Sequence, residues 1–187
     1  MGSSERRFAR LSAHPTDRLG TFGLPGDGMC LSAYLLVRPA PGSPQVLAGR
    51  ADPSGPWGAA ACLGADRLRS LGDRWILPAT QLLFFEGPDG AARRIARELV
   101  GRTDLELLGP RVYNEAYERG PDRPDPHWDL QFVYDGLWPG DERPSRGRLW
   151  RELRFVDVGA TGPAEFGRGH ADVLALAGLF PGADRAR

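Results

Sequence analysis

The stretch Phe85–Gly101, F-E-G-P-D-G-A-A-R-R-I-A-R-E-L-V-G, decides how this chain is read. Pro88 and Asp89 suit the first turn of a helix, where a missing N–H costs nothing and a negative charge favours the macrodipole. Gly101 supplies a residue that can end the helix in the left-handed conformation. Between these ends, Arg94 and Glu98 are spaced i,i+4, which suits an ion pair, and Ile95 and Leu99 share a second stripe at the same spacing. The pattern predicts a helix with one carboxylate, Glu98, after its first turn and an apolar stripe beside it.

Outward from the helix the chain is mostly strands. Met29–Arg38 (M-C-L-S-A-Y-L-L-V-R) predicts a buried strand stopped by P-A-P-G-S-P, with Gln45–Arg50 (Q-V-L-A-G-R) as its hairpin partner. A helical turn is expected around Ala65–Leu71, a brief strand at Arg74–Pro78 and an apolar run at Gln81–Phe85. Downstream, strand character covers Leu105–Tyr117, His127–Tyr134 and Arg151–Val158, and Ala171–Leu179 predicts an apolar closing helix in which His170 is the cap. Strands with one central and one terminal helix make a single α+β domain over residues 29–181. A polar arm (1–28) precedes it and a tail (182–187) follows.

Bulk properties narrow the function. The 24 basic and 24 acidic side chains cancel, so nothing global points to nucleic acid or an anionic membrane. No apolar run approaches the roughly 20 residues of a membrane helix, and the opening M-G-S-S-E-R-R is polar, so a cytoplasmic protein is expected. Every basic residue is Arg, which excludes lysine-nucleophile chemistry and leaves any phosphate grip to guanidinium forks or backbone amides. Cys30 and Cys62 sit in apolar company without a CxxC or Cys/His cluster, so buried thiols are expected and a structural zinc site is not. The sequence has no Walker loop, G-x-S-x-G elbow or GxGxxG.

The helix and its surroundings resemble the Nudix family, whose box is G-x5-E-x7-R-E-U-x-E-E-x-G-U, with U a bulky aliphatic. Glu86, Arg94, Glu98 and Gly101 fall on box positions, and the strand order around them is similar over about residues 29–181. Thr80 departs at the first glycine, and the departures that bear on metal are at the helix, where Ile95 and Leu99 stand in place of the family's glutamates. The resemblance implies a Nudix-like α/β/α sandwich with a mixed twisted sheet. It also implies magnesium or manganese held by box glutamates, here reduced to Glu86 and Glu98 as candidate ligands; otherwise no cofactor is expected.

Outside the box, His127 and Asp129 alternate onto one face of a strand and with Glu98 make the candidate catalytic set. Arg50, Trp75, Arg94 and Glu115 are the candidate substrate-binding residues; Glu118 is a further acid, and Trp128 a further aromatic that could stack on a base. The expected partner is a small-molecule ligand of diphosphate type, with no nucleic acid, no membrane and room for a homodimer. Three functions stay open. One is hydrolysis of a nucleoside-diphosphate-linked or related molecule with a reduced or relocated metal site. The second is metal-independent, non-hydrolytic chemistry in the same pocket. The third is a non-catalytic nucleotide-like ligand-binding or regulatory module.

Overall fold

The computed structural model describes residues 10–11, 29–117 and 127–180. Its centre is β2 (Met29–Arg38), an almost wholly apolar run that is buried along most of its length. Such a strand needs neighbours on both edges and cover on both faces, because every backbone polar group buried with it must be paired. One edge pairs in parallel with β6 (His127–Leu137) over ten residue pairs, from Met29↔Trp128 to Arg38↔Leu137. The other is shared by β1 (Arg10–Leu11) and β4 (Ala79–Gln81), both antiparallel. β5 (Glu106–Tyr117) runs antiparallel to β6 and completes a five-stranded mixed sheet, its register shifting between Leu108 and Arg111. A separate two-stranded sheet pairs β3 (Gln45–Ala51) with β7 (Trp150–Asp157).

Five α-helices complete the described residues: α1 (Trp57–Ala61), α2 (Ala65–Leu71), α3 (Pro88–Ile95), α4 (Val158–Thr161) and α5 (His170–Leu176). The helix expected from Phe85–Gly101 forms, with Pro88 at its first position and Gly101 (φ +78°) past its end. Its second half, Ala96–Val100, widens into a π-helix. The carbonyls loosened there are recovered: Ala96 O accepts from the Gly101 and Arg102 amides, and Leu99 O from the Trp150 indole at 2.6 Å.

Alternation in β2 and β6 divides the core into two layers. Ala33, Leu35 and Val37 join Phe132 and Tyr134 against α3 and its π-helical end. Tyr34, Leu36 and Val133 face α5 with Trp75, Val173 and Leu174. At the mouth of the first layer the Tyr134 hydroxyl donates to Asp89 at 2.5 Å and ties the start of α3 to the sheet. Burial, then the Asp89 hydrogen bond and charge, push the Tyr134 phenol far above its ordinary value.

Four expectations change. Gln45–Arg50 is a strand but pairs with β7 and not with β2, which pairs with β6 along its length and with β1 and β4 over Met29–Cys30 and Ser32–Tyr34 of its other edge. Residues 74–78 make only isolated bridges, Gly49↔Ile76 and Trp75↔Phe166, and the strand beside β2 starts one residue after Pro78. Cys30 is buried, whereas Cys62 ends α1 at φ 55° and is exposed. His170 opens α5 without capping it: its Nδ1 accepts the Leu77 amide at 2.8 Å, so this nitrogen carries the lone pair, and its ring stands edge-on to Tyr34. Arg10–Leu11, from the arm, adds a short strand to the sheet; the rest of the arm, Glu118 and the tail lie outside the described residues. No helix among the described residues is long and apolar enough to cross a membrane.

Candidate functional site

The site residues fall into three groups. The first is the turn and helix carrying the box. The chain leaves β4, turns through Phe85 in the left-handed region (φ 62°) and closes with the Glu86 amide on Leu83 O at 3.0 Å. A bulky residue seldom adopts that conformation, so the turn is held by its surroundings. The Glu86 carboxylate supplies the hold. It accepts the Leu83 amide at 2.9 Å and a two-pronged Arg94 fork at 2.8 and 2.7 Å. Arg94 is 4% exposed and also donates to Gln81 O at 3.0 Å. Partial burial acts to raise the Glu86 carboxyl; the Arg94 hydrogen bonds, the Leu83 amide and the Arg94 charge outweigh it and hold the group below its ordinary value. Glu86 and Arg94 thus fasten β4 to α3.

The remaining box positions follow from the same helix. Glu98 is half-buried, pairs with Arg97 at 3.1 Å and lies close enough to Glu86 to repel it. Ile95 and Leu99 are 0% and 3% exposed and belong to the core layer between the helix and the sheet. Thr80, in β4, is buried with its hydroxyl unpartnered among the described residues. Magnesium or manganese needs several hard oxygen ligands. Here two of the acid positions are buried hydrocarbon, both Glu86 oxygens are engaged, and no three His, Cys, Asp or Glu residues cluster among the described residues. This donor set does not fit the ion.

The second group lies across the sheet. Asp129 is buried on the α5 side, where it accepts from Tyr34 and Gln131, each at 3.4 Å. Glu115 stands opposite it in the β5–β6 register, beside Tyr113, whose hydroxyl donates to Leu176 O in α5. His127 opens β6, two residues before Asp129, and its side chain lies outside the described ones. Asp129 and Glu115 are therefore brought together, but on the face opposite the box helix. Trp128, on the box-helix side, donates its indole N–H to Asn114.

The third group is Arg50 and Trp75. The Arg50 and Arg154 guanidiniums lie 4.4 and 4.6 Å from the Trp75 ring centroid, and Arg50 also pairs with Glu152 at 3.6 Å. Trp75 is a core residue of the α5 layer, and Arg50 packs on it.

The sequence reading missed a fourth feature. A cavity of about 240 Å³ opens at the C-terminal end of the box helix, between Glu98–Arg102 and the loop joining β6 to β7. Trp138 and Trp150 line it, with Glu142, Arg143, Arg146 and Arg148 from the loop. Its signal was the run D-E-R-P-S-R-G-R, three arginines within six positions, which passes for a solvated turn until the helix end is brought against it.

No family model matches the chain, and no curated protein matches it in sequence. Solved structures do match its shape. The E. coli dihydroneopterin triphosphate pyrophosphohydrolase superimposes with a TM-score of 0.52 at 12% identity, covering 78% of this chain and 92% of that one. A Nudix hydrolase from Nitrosomonas europaea gives 0.50 at 12% identity, covering 84% and 96%. This chain has the Nudix fold. The Nudix domain of Shewanella oneidensis NrtR, solved with ADP ribose, matches equally, with a TM-score of 0.50 at 12% identity over 88% and 97%. Ile95 and Leu99, which the sequence resemblance sets at two box positions, lie on α3 and its π-helical end with their side chains in the core.

Proposed function

We propose that this Nudix-fold chain is a binding module for a nucleoside-diphosphate-linked or related small molecule, and that it does so without a metal held by the box helix. The observation that carries this reading is the burial of Ile95 and Leu99 in the core at the positions of the family's glutamates. A carboxylate there would have to be desolvated, so the acids are lost together with the room for them. The titration that tests the reading offers ADP-ribose and a panel of nucleoside diphosphates to the protein, once with millimolar magnesium and once with a chelator. Binding that is equal in the two conditions, with no magnesium-dependent release of phosphate or nucleotide product, is the expected result. Turnover that appears with magnesium and vanishes with the chelator would overturn it.

A second reading, hydrolysis with a relocated metal, has one observation in its favour: Glu98 and Glu142 line the same cavity. Four guanidiniums line it with them, and like charge discourages a divalent cation. The magnesium arm of the titration separates these readings.

A further inference from the structure

We infer that Arg143, Arg146 and Arg148 form an anion-binding subsite that takes the diphosphate of the bound molecule, an inference that rests on the proposed function. Charge bookkeeping around the cavity points to it. Glu98 pairs with Arg97 at 3.1 Å, and Glu142 with Arg102 at 3.3 Å. Arg102 is further held by Asp104 at 2.6 Å, and its guanidinium lies 5.1 Å from the Trp138 ring centroid. Glu98 is thus answered by Arg97, while Glu142 shares Arg102 with Asp104. Arg143, Arg146 and Arg148 make no ion pair among the described residues, although the Asp52 carboxylate lies near enough to Arg146 to feel its charge, so the opening carries an excess of positive charge.

Three guanidiniums so placed repel one another unless an anion sits between them, and their planar forks match phosphate oxygens. The end of a helix ordinarily disfavours an anion because its last carbonyls point outward. Here two of those carbonyls are engaged: the Trp150 indole takes Leu99 O, and the Gly101 and Arg102 amides take Ala96 O. The loop is also set in place. Pro144 restricts it, Gly147 turns at φ 55°, and the Trp150 amide donates to Arg146 O at 3.3 Å as β7 begins. About 240 Å³ is below the roughly 300–1,000 Å³ of a pocket for a whole drug-sized ligand, so the cavity suits the charged part of one.

The test titrates inorganic pyrophosphate, in chelator, into the full chain, into R143Q, R146Q and R148Q singly, and into the triple variant. R69Q removes the same charge from an exposed site on α2 and serves as control. Wild type and R69Q should bind alike, with affinity falling as salt rises; each single variant should bind about tenfold more weakly, and the triple should lose binding. All three positions are exposed, so circular dichroism should show each variant folded. Failure of wild type to bind pyrophosphate, or undiminished binding by a folded triple variant, would overturn the subsite. ADP-ribose bound equally by wild type and triple would overturn the subsite and leave the proposed function standing. Pyrophosphate bound through the arginines, with no nucleoside diphosphate bound at all, would do the reverse.

Discussion

Glu86 and Arg94 face each other with side chains 15% and 5% exposed, so each is the other's replacement for water. Glu86→Gln removes the charge but keeps the shape, and should cost about 2 kcal/mol, less than a fully buried pair because solvent still reaches the carboxylate. Arg94→Lys should cost at least as much, since an ammonium cannot donate in parallel to both oxygens and also reach Gln81 O. The pH dependence follows from the direction of the Glu86 shift. A carboxyl held below its unfolded value, about 4.3, contributes stability that is fully present above that value and is lost as pH falls through the lower folded one. Urea midpoints of wild type and Glu86→Gln should therefore lie well apart at pH 6 and converge as the pH falls beneath the unfolded carboxyl value. A gap that stays constant would show that the pair contributes by packing and not by charge.

At the scale of the element, the box helix is fixed through its interior. Ile95→Glu with Leu99→Glu, which rebuilds the family pattern, places two carboxylates among Leu35, Ala61 and Trp150 in the core layer. The expected outcome is a domain that does not fold, because each unpaired buried charge costs several kcal/mol against a total stability of about 5–15. Ile95→Val should fold and lose about 1 kcal/mol. Far-UV circular dichroism and thermal melts distinguish these outcomes, and a folded, metal-binding double variant would mean that the stripe can still open outward. The π-helical end depends on one indole: Trp150→Phe leaves Leu99 O without its partner and should cost about 1–3 kcal/mol. The same ring leaves no room on β3. A methyl group added at Gly49 would lie 2.2 Å from Trp150 Cε3, so Gly49→Ala must displace the residue that holds the helix, at about 1–3 kcal/mol in a denaturant titration.

At the scale of the whole molecule, metal is the global test. A ligand stabilises the native state by RT ln(1 + [L]/Kd), so magnesium with a millimolar Kd contributes about 0.4 kcal/mol at equal concentration. For a chain of this size that moves Tm by about 1 °C. A shift of several degrees would mean that carboxylates brought together elsewhere form a site. How much could be read beforehand depended on the range over which each signal acts. The helix at 88–101, the long strands β2, β5, β6 and β7 and the terminal helix were legible, because periodicity, Pro88 and Gly101 act within a few residues. The absence of acids at positions 95 and 99 was legible too, since it is a matter of identity. The pairing of β3 was not: local pattern favours the nearest hairpin, whereas β3 finds its partner about a hundred residues on, in β7. Nor could the sequence say that Asp129 and Glu115 share the α5 face, away from the box, for a strand's period of two gives alternation but not which layer covers which side. The cavity at the end of the box helix was decided by the tertiary structure alone. Residues 98–102 and 138–150 meet there because β7 carries Trp150 across to Leu99 O and Arg102 reaches Glu142 and Trp138, long-range contacts with no trace in local composition.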